Sequence, residues 1–116
     1  MIEVVYQPKR LRLTCAGHAQ NGKKGEDLVC AAVSALVLTM AANVATLAAQ
    51  EKVEHPVLRI REGDAWISCV PKKGLRREVT LICDAVCGGF ELLETMHPES
   101  IRFRVEGQYT GPFGLL

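Results

Sequence analysis

The chain has 116 residues, the length of one domain with material for one hydrophobic core. Lys plus Arg number 14 against 13 for Asp plus Glu, so no excess charge argues for a nucleic-acid or membrane-surface protein and any basic surface must be local. Apolar residues at 48% and charged residues at 23% exclude disordered, collagen-like and low-complexity classes.

In chain order, Ile2 to Tyr6 reads as a strand, Pro8 and Lys9 as a turn, and Leu11 to Ala16 as a second strand with Leu11, Leu13 and Cys15 on one face. Gly17, Asn21, Gly22 and Gly25 mark a loop longer than a minimal connection, and a long loop in a compact domain is usually functional. Asp27 is expected to cap a helix running from Leu28 to about Glu51, with Leu28, Val29, Ala32, Leu36, Met40, Val44 and Leu47 among its apolar contacts. Val57 to Arg61 and Ala65 to Val70 form a second hairpin around Glu62, Gly63 and Asp64, and Pro71 ends it. Leu75 to about His97 has a helical apolar period, although Gly88 and Gly89 weaken its middle. Ile101 to Val105 alternates as a last strand, and the Gly- and Pro-containing tail from Gly107 does not extend it. The expected fold is ββαββαβ, a single α+β domain over residues 1–116 with two helices packed on a sheet.

Five cysteines, an odd number lying among apolar residues, fit a reducing cytoplasm better than a disulfide framework. The start MIEVVYQPKR lacks the basic and apolar regions of a signal peptide, and the mature chain is expected to begin there. Leu28 to Gln50 is uncharged and long enough to span a bilayer. Ser34, Thr39, Asn43, Thr46 and Gln50 interrupt it and alanine fills much of the rest, so no membrane partner is expected. Its apolar or small residues lie on nearly every face, more than a small domain can cover, and a homodimer is the expected outlet.

The candidate chemistry lies in Gly17-His18-Ala19 followed by Gly25-Glu26-Asp27-Leu28-Val29-Cys30. A thiol in the first turn of a helix faces unpaired N–H groups and the positive end of the dipole, and reactive cysteines so placed fall to a pKa of about 3.5–7.5. Cys30 is thus the best nucleophile available, with His18 as its base and later its acid. The residues alone leave a second reading open, a buried small hydrophobe at Cys30 and an exposed loop imidazole at His18. Asp27 likewise serves as helix cap whatever the function, and Ser34, one turn after Cys30, is either a hydrogen-bonding neighbour of the site or small-residue packing. Cys83 and Cys87 with Cys15 and His18 do not have the spacing of a standard zinc site and lie on an apolar stripe, so neither metal nor other cofactor is expected. Arg10 and Arg12, Arg59 and Arg61, and Arg102 and Arg104 each flank an apolar residue, which puts them on the opposite sheet face. That face is either an ordinary solvated surface, with Glu3, Glu62 and Glu106 to pair across strands, or a basic one on which nucleic acid is an option but no requirement.

Gly17-His18-Ala19, Gly25, Asp27 and Val29-Cys30-Ala31-Ala32-Val33-Ser34-Ala35-Leu36 resemble the signature of the Prp family, ribosomal-processing cysteine proteases also called YsxB-like proteins. The likeness extends loosely over the chain, through Gly89-Phe90 and His97-Pro98-Glu99. It implies a homodimeric α+β endopeptidase that removes the N-terminal extension of large-subunit ribosomal protein twenty-seven. His18 and Cys30 would then be the catalytic pair, with Asp27 and Ser34 supporting them and Gly22 and Gly25 giving the loop hinge freedom. The departure lies at Gln20, Asn21, Lys23 and Lys24, where the family would carry more apolar or acidic residues, and it bears on substrate preference. The alternative outside enzymology is a non-catalytic ribosome- or RNA-associated module using the arginine face and Lys72, Lys73, Arg76 and Arg77.

Overall fold

The computed structural model describes residues 1–17 and 26–107, and for Glu26 and Asp27 the backbone alone. Strand β1 (Ile2–Gln7) alternates as its sequence requires, burying Ile2, Val4 and Tyr6 and turning Glu3, Val5 and Gln7 the other way. A turn of 3₁₀ helix, Pro8–Arg10, follows, and the chain leaves it through Leu11 at φ 45. Strand β2 (Arg12–Ala16) therefore starts later than the alternation suggests, and Arg10 sits in the turn instead of on the sheet face with Arg12. The remaining elements are α1 (Glu26–Ala49), β3 (Val53–Arg61), β4 (Asp64–Pro71), α2 (Arg76–Met96) and β5 (Ile101–Val105). Their order is the expected ββαββαβ.

The five strands form one mixed sheet in the order β3-β4-β2-β1-β5, parallel between β1 and β5 and antiparallel elsewhere. The β3–β4 ladder slips between Glu54 and Val57, where His55 adopts φ 51 and Pro56 has no N–H to give. Such a bulge is tolerated because β3 is an edge strand. At the opposite edge the backbone N–H of Phe103 donates to the Glu94 carboxylate of α2 at 2.8 Å, which closes part of that edge to further pairing.

Both helices pack on one face of the sheet. Helix α1 buries Val29, Val33, Val37, Met40, Val44 and Leu47, a spacing of three and four residues, in one cluster with Val4, Tyr6, Leu13 and Ile67. Each such side chain contributes roughly 1.5–3 kcal/mol by leaving water. Leu28, expected to join this stripe, is 75% exposed on the opposite side of the helix. Leu38, Ala45 and Ala49 also face outward, so the helix shows solvent an uncharged surface. By length and composition Leu28–Ala49 is apolar enough to cross a membrane, but its inner face is committed to the sheet.

Helix α2 buries Val79, Cys83, Val86, Cys87 and Phe90, and Phe90 stacks on Phe103 with ring centroids 5.9 Å apart. The Tyr6 hydroxyl donates to Asp84 Oδ1 at 2.9 Å, and burial pushes the phenol far above its ordinary value. Burial pushes the Cys83 thiol up to about 12, helped by Cys69 and Asp84, and raises Cys69 and Cys87 too. These three thiols act as small apolar side chains, as their places in the apolar pattern suggest.

The two adjacent glycines of α2 have different surroundings. A Cβ at Gly89 would meet Leu36 Cδ2 of α1 at 2.7 Å, whereas a Cβ at Gly88 would have nothing within 4 Å. Gly89 thus lets the helices approach, and Gly88 costs helix propensity with no packing return. Gly88→Ala is expected to raise stability by about 0.5–1 kcal/mol, and Gly89→Val to lower it by about 1–3 kcal/mol through overpacking against Leu36. Denaturant midpoints of the two variants check this.

Candidate active site

Three parts of the chain meet at one cavity of ≈ 490 Å³: the end of β2, the first half of α1 and the turn between β3 and β4. Gly17 ends the first of these. Its φ is 102, a Cβ there would collide with the carbonyl oxygen of Met1, and its N–H donates to the Gly63 carbonyl at 3.0 Å. Only glycine meets all three conditions. Cys30 and Ser34, one turn apart on α1, line the same cavity, with Ile2, Val33, Val37 and Ala65 supplying apolar wall. Arg61, Glu62 and Asp64, in and beside the β3–β4 turn, add charged groups to the lining.

Helix α1 begins at Glu26, two residues earlier than expected. Asp27 accordingly lies within the first turn and is not the cap. Cys30 becomes the fifth helical residue, past the first four N–H groups that lack helical acceptors. Its own N–H belongs to the helical ladder, so any oxyanion donors at this end are the N–H groups that precede it. His18, Gly22 and Gly25 lie outside the described residues, as does the Asp27 side chain. The structure therefore brings together Cys30 and Ser34 with Gly17, the residue that precedes His18.

Cys15 is the site residue that sequence reasoning missed. It lies half-buried on the cavity wall, and its thiol is pushed up to about 11 by burial first, then by the charges of Asp64 and Cys30. A thiol so raised stays protonated at neutral pH and is a poor nucleophile. The alternation that put Cys15 on the helix-facing side with Leu13 was the available signal. Nothing local announced that the Glu62–Asp64 turn would close the cavity, because that contact depends on the β2–β4 pairing. No disulfide joins the five cysteines, and no three His, Cys, Asp or Glu side chains among the described residues gather as a metal would require.

A family model for cysteine protease Prp matches residues 1–102. Among solved structures, the chain is similar to the essential ribosomal processing protease Prp from S. aureus in complex with a substrate peptide. That likeness has TM-score 0.70 and 22% identity, and covers 91% of this chain and 100% of the other. It is similar to the same protease with a covalently linked product peptide, with TM-score 0.68 and 23% identity over 91% and 100% of the two chains. SMU.848 from Streptococcus mutans follows with TM-score 0.63 and 22% identity over 92% and 93%. At these identities the likeness establishes the fold. No curated protein matches significantly.

Brief iodoacetamide treatment of the folded protein at neutral pH is expected to label Cys30 first. Cys69, Cys83 and Cys87 are at most 2% exposed, and Cys15 is held protonated. Peptide mapping that finds all five cysteines equally labelled would contradict this. Gly17→Ala is expected to cost about 1–3 kcal/mol from the backbone conformation alone, before the collision with Met1 is relieved. Its unfolding midpoint should fall accordingly.

Proposed function

The chain belongs to the cysteine protease Prp family, and from that premise we propose that it is an endopeptidase removing the N-terminal extension of large-subunit ribosomal protein twenty-seven during ribosome maturation. The observation that carries the assignment of the nucleophile is the placement of Cys30 and Ser34, one helical turn apart, on the cavity that Gly17 also lines. The S. aureus protease of the same fold, solved with a substrate peptide and with a covalently linked product, supports an acyl-transfer reaction on a ribosomal protein.

In this reading the Cys30 thiolate attacks the scissile carbonyl carbon, and the resulting oxyanion is stabilised by N–H groups at the start of α1. The tetrahedral adduct collapses as the imidazolium of His18 gives its proton to the departing amine, leaving a Cys30 thioester. Water then attacks the thioester, His18 takes its proton, and the carboxylate product leaves with the Cys30 thiolate restored. Asp27 would favour the helix start electrostatically, Ser34 would offer a hydroxyl one turn from the sulfur, and Gly22 and Gly25 would let the loop close around peptide. The apolar wall made by Val33, Val37 and Ala65 suits a short extended segment better than a charged one.

A homodimer is part of the same proposal. Leu28 and Leu38 on α1 are 75% and 55% exposed, and Leu58 and Ile60 lie on the helix side of the neighbouring β3, each 43% exposed. A second copy covering this uncharged surface would remove it from water. A cytoplasmic site of action fits a chain whose five cysteines form no disulfide.

Cys30→Ser should leave the fold intact and lower cleavage of a peptide spanning the extension and its junction by several orders of magnitude, with His18→Ala nearly as severe. Mass spectrometry of the products decides, and near-parental turnover of Cys30→Ser would sink the assignment. Light scattering at micromolar concentration should return a dimer that Ala45→Glu dissociates. A parental monomer would contradict that part of the proposal.

A further inference from the structure

The sheet face left open by the helices carries a second set of functional groups. Strand register places Arg59, Trp66, Thr14, Val5 and Arg104 in one row across all five strands. At strand spacings of about 4.8 Å the row is roughly 19 Å long. Arg59 and Arg104 at its ends are exposed and Trp66 is half-buried. Arg12, in the next row, has its guanidinium carbon 4.3 Å from the centre of the Trp66 ring, and Arg59 has its own at 5.5 Å. The indole N–H donates to Ser68 Oγ at 3.3 Å, which fixes the ring.

Charge on this face is not uniformly balanced. Glu3 stands 3.9 Å from Arg102, Glu106 stands 3.9 Å from Arg104, and Asp64 pairs in register with Arg61. These carboxylates accompany the outer arginines. The Arg12–Trp66–Arg59 stack, toward the β3 edge of the sheet, makes no ion pair among the described residues, and Arg12 Nε is buried with no hydrogen-bond partner among them. Two guanidinium groups on an indole form a flat cationic platform on which a planar ring stacks, while arginines to either side meet anions.

We propose that this face binds single-stranded RNA, separately from the proteolytic cavity. A chain of alternating flat bases and phosphates matches a cationic stacking platform toward one edge with further arginines across the sheet, which an acidic peptide does not, since it offers carboxylates without rings. The hydroxyls of Thr14 and Ser68 beside Trp66 supply partners for a ribose 2′-hydroxyl.

Trp66 is the only tryptophan, so its fluorescence reports on this face directly. Titration with a short oligouridylate should quench it. The affinity should fall roughly 20- to 50-fold between about 50 and about 200 mM salt, the response to three or four phosphate contacts. Arg59→Ala combined with Arg104→Ala should lower the affinity at least tenfold, read by anisotropy of end-labelled RNA, with thermal midpoint and peptide cleavage unchanged. Absence of both quenching and anisotropy change would overturn the proposal. So would equal binding by the double variant, or polyglutamate or the matching DNA strand binding as tightly as RNA.

Discussion

At Gly17 three stretches of chain far apart in sequence come within contact distance: the Met1 carbonyl, the end of β2 and the carbonyl of Gly63 in the β3–β4 turn. A side chain there would have to displace backbone. The position therefore fixes where the chain leaves the sheet, and with it the point from which the segment bearing His18 begins. The same junction sets one wall of the cavity whose other wall is α1. The close approach at Gly17 thus shapes a wall of the cavity that Cys30 and Ser34 line from α1.

The helix that presents Cys30 answers two demands with two faces. Its valines, Met40 and Leu47 are spaced for the core and hold α1 rigidly on the sheet, so that the thiol near its start is carried by a fixed element instead of a loop. Its outer face is left with leucine, alanine, serine and threonine. That composition explains why the helix shows little amphipathic contrast. One face is apolar because it is buried in this chain, and the other fits the surface of a second copy in the proposed dimer.

Much of this architecture is legible in the sequence. The ββαββαβ order, the alternation of Ile2, Val4 and Tyr6, and the burial of Cys83 and Cys87 all follow from periodicity, because those residues answer to neighbours two to four positions away. Cys30 stood out from its place near a helix start, and the family signature around it supplied the chemistry that spacing alone left open. Boundaries were less legible: Leu11 turns into the left-handed region and α1 begins at Glu26, both decided by how the chain enters the next element. Leu28 faces outward although the expected stripe included it, because the apolar residues of α1 lie on both sides and periodicity cannot tell which side meets the sheet. Alternation already puts Cys15 on the helix-facing side, whereas the part played by Arg61 and Asp64 in the cavity is not legible, since it arises from strand pairing between distant segments.

Two thiols lining one cavity make the identity of the nucleophile a question that the reaction itself can answer. In the proposed mechanism Cys30 forms the acyl-enzyme while Cys15, held protonated by burial and by Asp64, remains unmodified. The most direct measurement is acid quenching of the protein during turnover of a junction peptide, followed by intact mass and peptide mapping. The expected result is a thioester whose added mass equals the N-terminal fragment of the peptide and which maps to Cys30. An adduct on Cys15, or cleavage with no covalent species at any time during the burst, would contradict it.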